Sequence, residues 1–174
     1  MYKINFSRVK RNIIHSILFV FLISSLSACA QHKATVSSVS NKKVTTSGFK
    51  AMQQDILYYV NQHRKSLGLP ALQMNDAATT EATKHSADMA DGTMDFGHDG
   101  FNDRMKNIKE KIGFLRASAE NVAYGKIDAK EVMDMWLSSP GHKKNIEGNY
   151  SMIGIGIAQR PDGYLYFTQI FLLK

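Results

Sequence analysis

Three side chains near the middle of the chain carry groups that can bind a metal ion or transfer protons. Glu120 lies in the sequence AENVA, His98 lies in FGHDG, and His142 lies in SPGHKKN. Two imidazoles and one carboxylate form a ligand set that proteins use for Zn²⁺ with one coordination position left open. If the three side chains converge, a divalent metal such as Zn²⁺ is expected to bind a water or an anionic group there. Glu120 is then the candidate general base.

Two other interpretations of the same residues remain open. In the structural one, the rings of His98 and His142 hydrogen-bond to loop backbone, and the Glu120 carboxylate accepts N–H bonds that tie loops together. In the other, Ser139 is a nucleophile assisted by His142 and Glu120. Against this second interpretation, Ser139 directly precedes Pro140 and lacks the Gly-x-Ser-x-Gly turn that exposes a catalytic serine.

A short amphipathic helix is predicted between Glu120 and His142. Asp128, with a glutamate three residues later, is typical of a helix N-cap, and Pro140-Gly141 predicts the end of the helix. The two polar groups are therefore expected on loops at either end of a buried helix. The predicted apolar stripe of this helix comprises Val132, Met135, Trp136 and Leu137.

Three further helices are predicted before this one. Apolar residues recur at three- and four-residue intervals over residues 49–67, which predicts an amphipathic helix. A second helix is predicted from an N-cap at Asn75 to Gly92, and its small alanines favour close packing against a neighbour. A third is predicted from an N-cap at Asn102 to Gly113. The loop between the second and third helices carries His98.

Two strands are predicted at the end of the chain, over residues 152–159 and 164–172, joined by a hairpin turn. Residues 114–124 are the candidate for one more strand. Gly154-Ile155-Gly156 lacks the third glycine and the following helix of a dinucleotide loop, so it is interpreted as strand in close contact with other backbone. The sequence therefore predicts an α+β domain with about four helices packed on a small antiparallel sheet.

The first residues of the chain have the pattern of an export signal. Four basic residues precede an apolar run too short to span a membrane, and the run ends in Leu-Ser-Ala-Cys, which resembles a bacterial lipobox. Residues 1–28 are therefore predicted to be a lipoprotein signal peptide and Cys29 the lipidated residue that anchors the protein to a membrane. Residues 29–48 are predicted to be a flexible tether, and residues 49–174 the folded domain. Ala30, in place of Asp, indicates the outer membrane if the source is a Gram-negative cell, by resemblance to lipoprotein sorting signals.

The charge of the predicted mature protein gives no reason to expect a nucleic-acid partner. Without the four basic residues of the signal, the net charge falls from +7 to +3, and the remaining basic residues are scattered. The sequence gives no oligomeric state.

Five motifs, in order along the chain, resemble those of the CAP superfamily, which groups cysteine-rich secretory, antigen 5 and pathogenesis-related proteins. The bacterial, SCP-like branch is the most similar. The resemblance covers residues 50–172 and implies a three-layer α-β-α sandwich with a central cleft, in a secreted protein. The motifs are Asn61-x-x-Arg64, Phe96-Gly97-His98, residues 119–123 (AENVA), Trp136 followed by Ser139-Pro140-Gly141-His142-x-x-Asn145-Ile146, and residues 166–169 (YFTQ).

The resemblance also implies which residues line the cleft. The family places two His and two Glu there; His98 and Glu120 match one of each, whereas Ser139 and Tyr166 occupy the positions of the other two. His142 offers an imidazole from a different position. By the same resemblance, Asn61 and Arg64 are expected to be structural, Asn61 bonding to backbone and Arg64 pairing with a carboxylate.

The function that these observations favour is a lipid-anchored module of the cell envelope, which binds a small apolar or anionic ligand in its cleft. One alternative is a metal-assisted hydrolase acting on envelope peptide or peptidoglycan. Another is a non-catalytic protein that interacts through its surface. The absence of half of the family's His and Glu residues favours binding over catalysis.

Overall fold

The computed structural model describes residues 45–174. Cys29 and the predicted signal peptide lie outside these residues, as does most of the predicted tether. Within the described part, no helix has the length and apolar character needed to cross a membrane. The helices are α1 (Thr46–Ser66), α2 (Asp76–Asp91), α3 (Phe101–Ile112), α4 (Ala129–Ser138) and α5 (Pro140–Ile146), and the strands are β1 (Gln73–Met74), β2 (Ala117–Gly125), β3 (Met152–Gln159) and β4 (Leu165–Leu173).

The four strands form one sheet in the order β1-β3-β4-β2. β4 is antiparallel to both β2 and β3, whereas β1 is parallel to β3. The small antiparallel sheet that the sequence predicts is formed by β2, β4 and β3, and the short parallel strand β1, which was not predicted, makes the whole sheet mixed. A strand of two residues has no alternation of its own to recognise, and its parallel pairing depends on a long connection through the rest of the chain.

Helices cover both faces of the sheet, so the predicted three-layer α-β-α arrangement is confirmed. α2 and α3 pack on one face, with buried Ala82, Met105 and Ile108 against Ile170 of β4. α1, α4 and α5 pack on the other face, where Trp136 lies in the larger core cluster. Because side chains alternate along a strand, β2 presents Glu120 to the first layer and its neighbours to the second.

The second layer contains a helix that the sequence did not predict. Ser139 ends α4 with an extended ψ of 118°, but Pro140 takes the first position of α5. Proline suits that position because its missing N–H would have no helical partner there. His142 therefore lies in a helix and Glu120 in a strand, and the expectation that both lie on loops was wrong.

The starts of two helices, α2 and α4, agree with the prediction, whereas α1 begins at Thr46 behind a Thr45 cap and not at Phe49 as predicted. Asp128 forms the predicted capping box with Glu131, and Asn75 caps α2 by accepting from the Ala78 N–H. The start of α3 differs, since Gly100 precedes the helix at a φ of 74° and Asn102 lies inside it.

The apolar stripe of α4 is rotated from the one predicted. The helix buries Ala129, Val132, Met133 and Trp136, whereas Met135 is half exposed. These buried positions are spaced at three and four residues from Ala129, which is the spacing of one helix face.

Two glycines of β3 allow α2 to lie directly on the sheet. A Cβ atom at Gly154 would come within 2.2 Å of the backbone of Ala78, and one at Gly156 within 2.1 Å of the backbone of Ala82. The predictions of close backbone contact in this strand and of close packing by the alanines of α2 are both confirmed.

The motif Asn61-x-x-Arg64 holds the end of α1 to later parts of the chain. Asn61 donates to the Leu72 carbonyl at 3.0 Å and accepts from the Leu72 N–H at 2.8 Å, as expected. Arg64 is fully buried and pairs with no carboxylate of residues 45–174, so the expected ion pair was wrong. Its guanidinium instead donates to four backbone carbonyls, those of Pro70, Ile146, Gly148 and Tyr150.

Candidate functional site

The Glu120 carboxylate is buried under the loop that joins α2 to α3. Its Oε1 lies 2.9 Å from Nδ1 of His98. Arg104 donates to both oxygens, from Nε to Oε2 at 2.8 Å and from Nη2 to Oε1 at 2.7 Å. The same guanidinium reaches the backbone of the loop through the Asp99 carbonyl at 2.7 Å. Glu120 and Arg104 together therefore fix the position of His98, whose ring is half exposed.

Arg104 is a site residue that the sequence reading missed. It lies one turn before Ile108 in α3, on the inward face of that helix, and it is itself buried. An arginine at a core-facing position of an amphipathic helix is a signal that a buried carboxylate lies opposite, because an unpaired buried charge is costly. The sequence does not say which carboxylate that is.

His85 is a second missed residue. It lies in α2, is fully buried, and donates from Nε2 to the Gly97 carbonyl at 2.9 Å. The same nitrogen is 3.8 Å from Oε1 of Glu120. Burial, and then the positive charge of Arg104, lower the pKa of His85. The ring is therefore neutral, and its N–H donor holds residues 96–98 next to the buried ion pair of Arg104 and Glu120.

The stability of the protein is expected to fall as the pH falls from 6.5, the ordinary pKa of histidine. Above that pH, His85 is neutral in both the folded and the unfolded chain. Below that pH, His85 of the unfolded chain becomes protonated, whereas His85 of the folded chain stays neutral until the pH reaches its own lowered pKa. The free energy of unfolding therefore decreases between these two pKa values. Urea unfolding between pH 8 and 5.5 measures this loss, and a His85→Gln variant should show a flatter dependence. Equal slopes for both proteins would contradict this role for His85.

A cavity of about 490 Å³ lies beside His98, between the α2–α3 loop and the α4–α5 pair. His142 and Ser139 line its far side, so both imidazoles face one cavity. Burial and the neighbouring His98 lower the pKa of His142, which favours its neutral form. The remaining wall is mostly apolar and is formed by Phe96, Gly97, Val122, Ala123, Tyr124, Met135 and Trp136.

Tyr166 supports this cavity from behind and does not line it. Its ring stacks on Tyr124, with centroids 5.5 Å apart, and meets the edge of Phe96 at 6.4 Å. Arg160 donates to its hydroxyl at 2.9 Å. At the position where the resemblance implies a histidine, this chain therefore has an aromatic ring that contacts two wall residues, Tyr124 and Phe96.

A buried amide network fixes α5, and with it His142, against β2. Asn145 donates to the Asn121 side chain at 2.8 Å and to the Glu120 carbonyl at 3.2 Å. Asn121 in turn donates to the His142 carbonyl and to Gln169, each at 3.1 Å. The motif residues around His142 therefore place the helix and leave its imidazole free to face the cavity.

The predicted metal site is not assembled. Within residues 45–174, no group of three His, Cys, Asp or Glu side chains is arranged to hold a metal ion. Both oxygens of Glu120 accept from Arg104 and one also contacts His98, and no hydrogen bond among the described residues joins the carboxylate to the His142 ring. The donor set does not fit Zn²⁺, and Glu120 as a general base gains no support from this geometry.

The serine alternative is likewise unsupported. Among the described residues, no hydrogen bond joins Ser139 to His142, and the Glu120 carboxylate is held by Arg104 and His98. A nucleophile needs its base within hydrogen-bond reach and the base oriented by a third group. What the site offers is two imidazoles on an apolar cavity, one of them oriented by a buried ion pair.

Comparison with known proteins identifies a family and two curated relatives. The sequence model of the CAP family, described as the cysteine-rich secretory protein family, matches residues 57–171. The chain is 27% identical over 144 residues to the uncharacterized protein YkwD of Bacillus subtilis (strain 168), covering 81% of this chain and 54% of that protein. It is 29% identical over 145 residues to the uncharacterized membrane protein YlbC of the same organism, covering 80% and 38%. The chain thus spans about half or less of these relatives.

Solved structures agree with this comparison. An extracellular protein containing an SCP domain from Bacillus anthracis str. Ames matches with a TM-score of 0.64 and 27% identity, over 76% of this chain and 45% of that one. An outer surface protein from Borrelia burgdorferi matches with a TM-score of 0.64 over 72% of this chain and 94% of that one; at 22% identity this shows the fold alone. Since the family match spans more than half of the sequence, the chain belongs to the CAP, or cysteine-rich secretory protein, family.

Proposed function

We propose that this protein is a binding module of the cell envelope, which holds a small apolar or anionic ligand in the cavity beside His98. The observation that carries the proposal is the cavity itself. Its volume of about 490 Å³ lies within the range of small-molecule sites, and its wall is apolar with a few convergent polar groups. The two imidazoles are those groups, and they hydrogen-bond to a ligand when neutral or pair with an anion when protonated.

Binding is favoured over catalysis by the position of the one buried carboxylate. Glu120 is fully engaged by Arg104 and His98, so it acts through His98 and has no free oxygen for a substrate. The hydrolase interpretation requires a carboxylate or a metal that faces the cavity. No residue in the cavity wall is acidic.

The binding proposal is tested with 8-anilinonaphthalene-1-sulfonate, an apolar anion whose fluorescence rises in apolar sites. We expect saturable binding at micromolar protein, and at least tenfold weaker binding to a Met135→Asp variant, because a carboxylate in the wall opposes both parts of the probe. Leu67→Asp is the matched control, since Leu67 is similarly exposed but does not line the cavity. Equal effects of the two substitutions, or no saturable binding by the unaltered protein, would remove the proposal.

The first residues of the sequence support a proposal for the location of this module. We propose that residues 1–28 are removed, that Cys29 is lipidated, and that the tether up to α1 holds the domain at the membrane surface. One solved relative is an extracellular protein and another is an outer surface protein, which is compatible with export of this one. A Cys29→Ser variant should appear in the soluble fraction of the cell envelope, and its retention in the membrane fraction would contradict the anchor.

A further inference from the structure

Strand β2 lies at one edge of the sheet, so the backbone N–H and C=O groups on its outer side face no neighbouring strand. In an antiparallel pair, residues alternate between those whose N–H and C=O face the partner strand and those whose groups face away. The carbonyls of Glu120 and Val122 face away from β4, because they accept hydrogen bonds from Asn145 and Trp136, at 3.2 and 3.3 Å. By the same alternation, Tyr124 directs both its N–H and its C=O away from β4.

The helices of the second layer cover only part of this edge. Asn145 of α5 donates a hydrogen bond to the Glu120 carbonyl, and Trp136 of α4 donates one to the Val122 carbonyl. Within residues 45–174, no hydrogen bond reaches the outward backbone groups of Tyr124. The strand continues to Gly125, which still pairs with Leu165. The end of β2 is therefore ordered strand with an open outer side.

The cavity borders this open side. Three consecutive residues of β2 line it, Val122, Ala123 and Tyr124. Successive side chains of a strand point to opposite faces, so a cavity on one face would be lined by alternate residues. Lining by three in a row indicates a cavity that runs along the edge, where the backbone itself is within reach of a ligand.

We propose that the ligand of this cleft is an extended peptide segment of a partner protein, which adds to β2 as a short outer strand. This inference rests on the proposed function, since it names the ligand class of the same cavity. Open N–H and C=O groups of an edge strand are a template for another backbone. One peptide residue opposite Tyr124 exchanges two hydrogen bonds with it, which the acyl chain of a lipid cannot do.

The surroundings of the edge select the peptide's side chains. Phe96, Met135 and Trp136 give the cavity an apolar wall for a side chain next to the paired residue. No acidic side chain lines the cavity, and exposed Lys126 follows the strand. The fitting segment is therefore apolar where it enters the cavity and neutral or acidic elsewhere.

The test starts from a phage-displayed library of random heptapeptides selected on the purified protein. We expect enriched sequences that are apolar and not basic, and whose synthetic forms bind at micromolar concentrations. Tyr124→Pro should bind the peptide at least tenfold more weakly than Tyr124→Ala does, because both variants lose the tyrosine ring from the cavity wall and only proline also removes the outward N–H. Proline is tolerated where a strand N–H faces away from the sheet, so both variants should fold.

A second measurement does not depend on any variant. The selected peptide is synthesised with N-methyl groups on alternate residues, in each of the two registers. Methylation of the residues that face β2 should weaken binding at least tenfold, and methylation of the others should not. Equal effects of both registers, or equal affinities of Tyr124→Pro and Tyr124→Ala, would overturn the proposal.

Two further outcomes separate this inference from the proposed function. If the apolar anion binds in the cavity and no heptapeptide is enriched, the cavity holds a small ligand and the peptide proposal alone fails. If neither binds, both fail. Sedimentation that shows two copies of the chain paired through this edge, with no displacement by peptide, would also overturn a partner peptide.

Discussion

Replacing Arg104 by methionine is expected to lower the free energy of unfolding by about 3–5 kcal/mol, because it leaves the buried Glu120 carboxylate without its charged partner. Arg104 makes two hydrogen bonds to that carboxylate, and neither side chain has more than a few per cent of its surface exposed. Small domains are stable by about 5–15 kcal/mol, so the loss is a large part of the total. Urea unfolding at pH 7 measures it.

The cause of this loss can be separated from a general effect of losing a basic side chain. A double variant that adds Glu120→Gln removes the unpaired charge and should recover part of the stability. Lys130→Met removes a basic residue from an exposed ion pair with Asp134 and should change stability little. A loss below about 1 kcal/mol for Arg104→Met would show that water or rearrangement compensates the carboxylate. The pair would then not be the structural base of the site.

Replacing Gly156 by alanine is expected to destabilise the protein by about 3 kcal/mol, the upper part of the range for overpacked cores. The added Cβ would lie 2.1 Å from both the carbonyl carbon and the carbonyl oxygen of Ala82. These are backbone atoms of α2, so no side chain can turn aside to make room. The helix must move off the sheet, and its burial against β3 and β4 is reduced.

Gly141→Ala is the matched control for this substitution. No atom lies within 4 Å of a Cβ at Gly141, which is inside α5. Alanine is favoured over glycine in a helix by roughly 0.5–1 kcal/mol, so this variant should be as stable as the original protein or slightly more. Thermal unfolding of the two variants should therefore shift in opposite directions, and a small effect at Gly156 would contradict the close contact of α2 with the sheet.

Much of the fold is predictable from the sequence because its signals are local. The N-caps at Asn75 and Asp128 lie within one turn of the helices that they start, and the strands of the terminal hairpin are rich in Ile, Tyr and Phe. The start of α5 was missed because Pro140 ends one helix and begins the next, and either reading fits the same residues. β1 was missed because two residues show no period.

The candidate site was predictable only in part. The family motifs predict that His98 and Glu120 lie in one cleft; the two side chains are 2.9 Å apart, but only His98 lines the cavity. Arg104 and His85 come from two different helices, and their contacts with Glu120 depend on how α2 and α3 pack. No sequence pattern within either helix determines how far these two side chains lie from Glu120. The position of His142 depends in the same way on the amide network of Asn145, which is a tertiary contact.

The buried guanidinium of Arg64 has a consequence for the motions of the domain. It accepts nothing and donates to carbonyls from the segment after α1, from the end of α5 and from the connection before β3. If one of these segments moves away, N–H donors of the buried guanidinium lose their acceptors while the same group still bonds to the other segments. This is unfavourable, because buried polar groups are costly without partners. Fraying at the end of α5 is therefore coupled to opening at the end of α1, more than 75 residues earlier in sequence. Helix α5, which carries His142 in the wall of the cavity, is therefore expected to open only together with these segments, as one cooperative unit, and not independently.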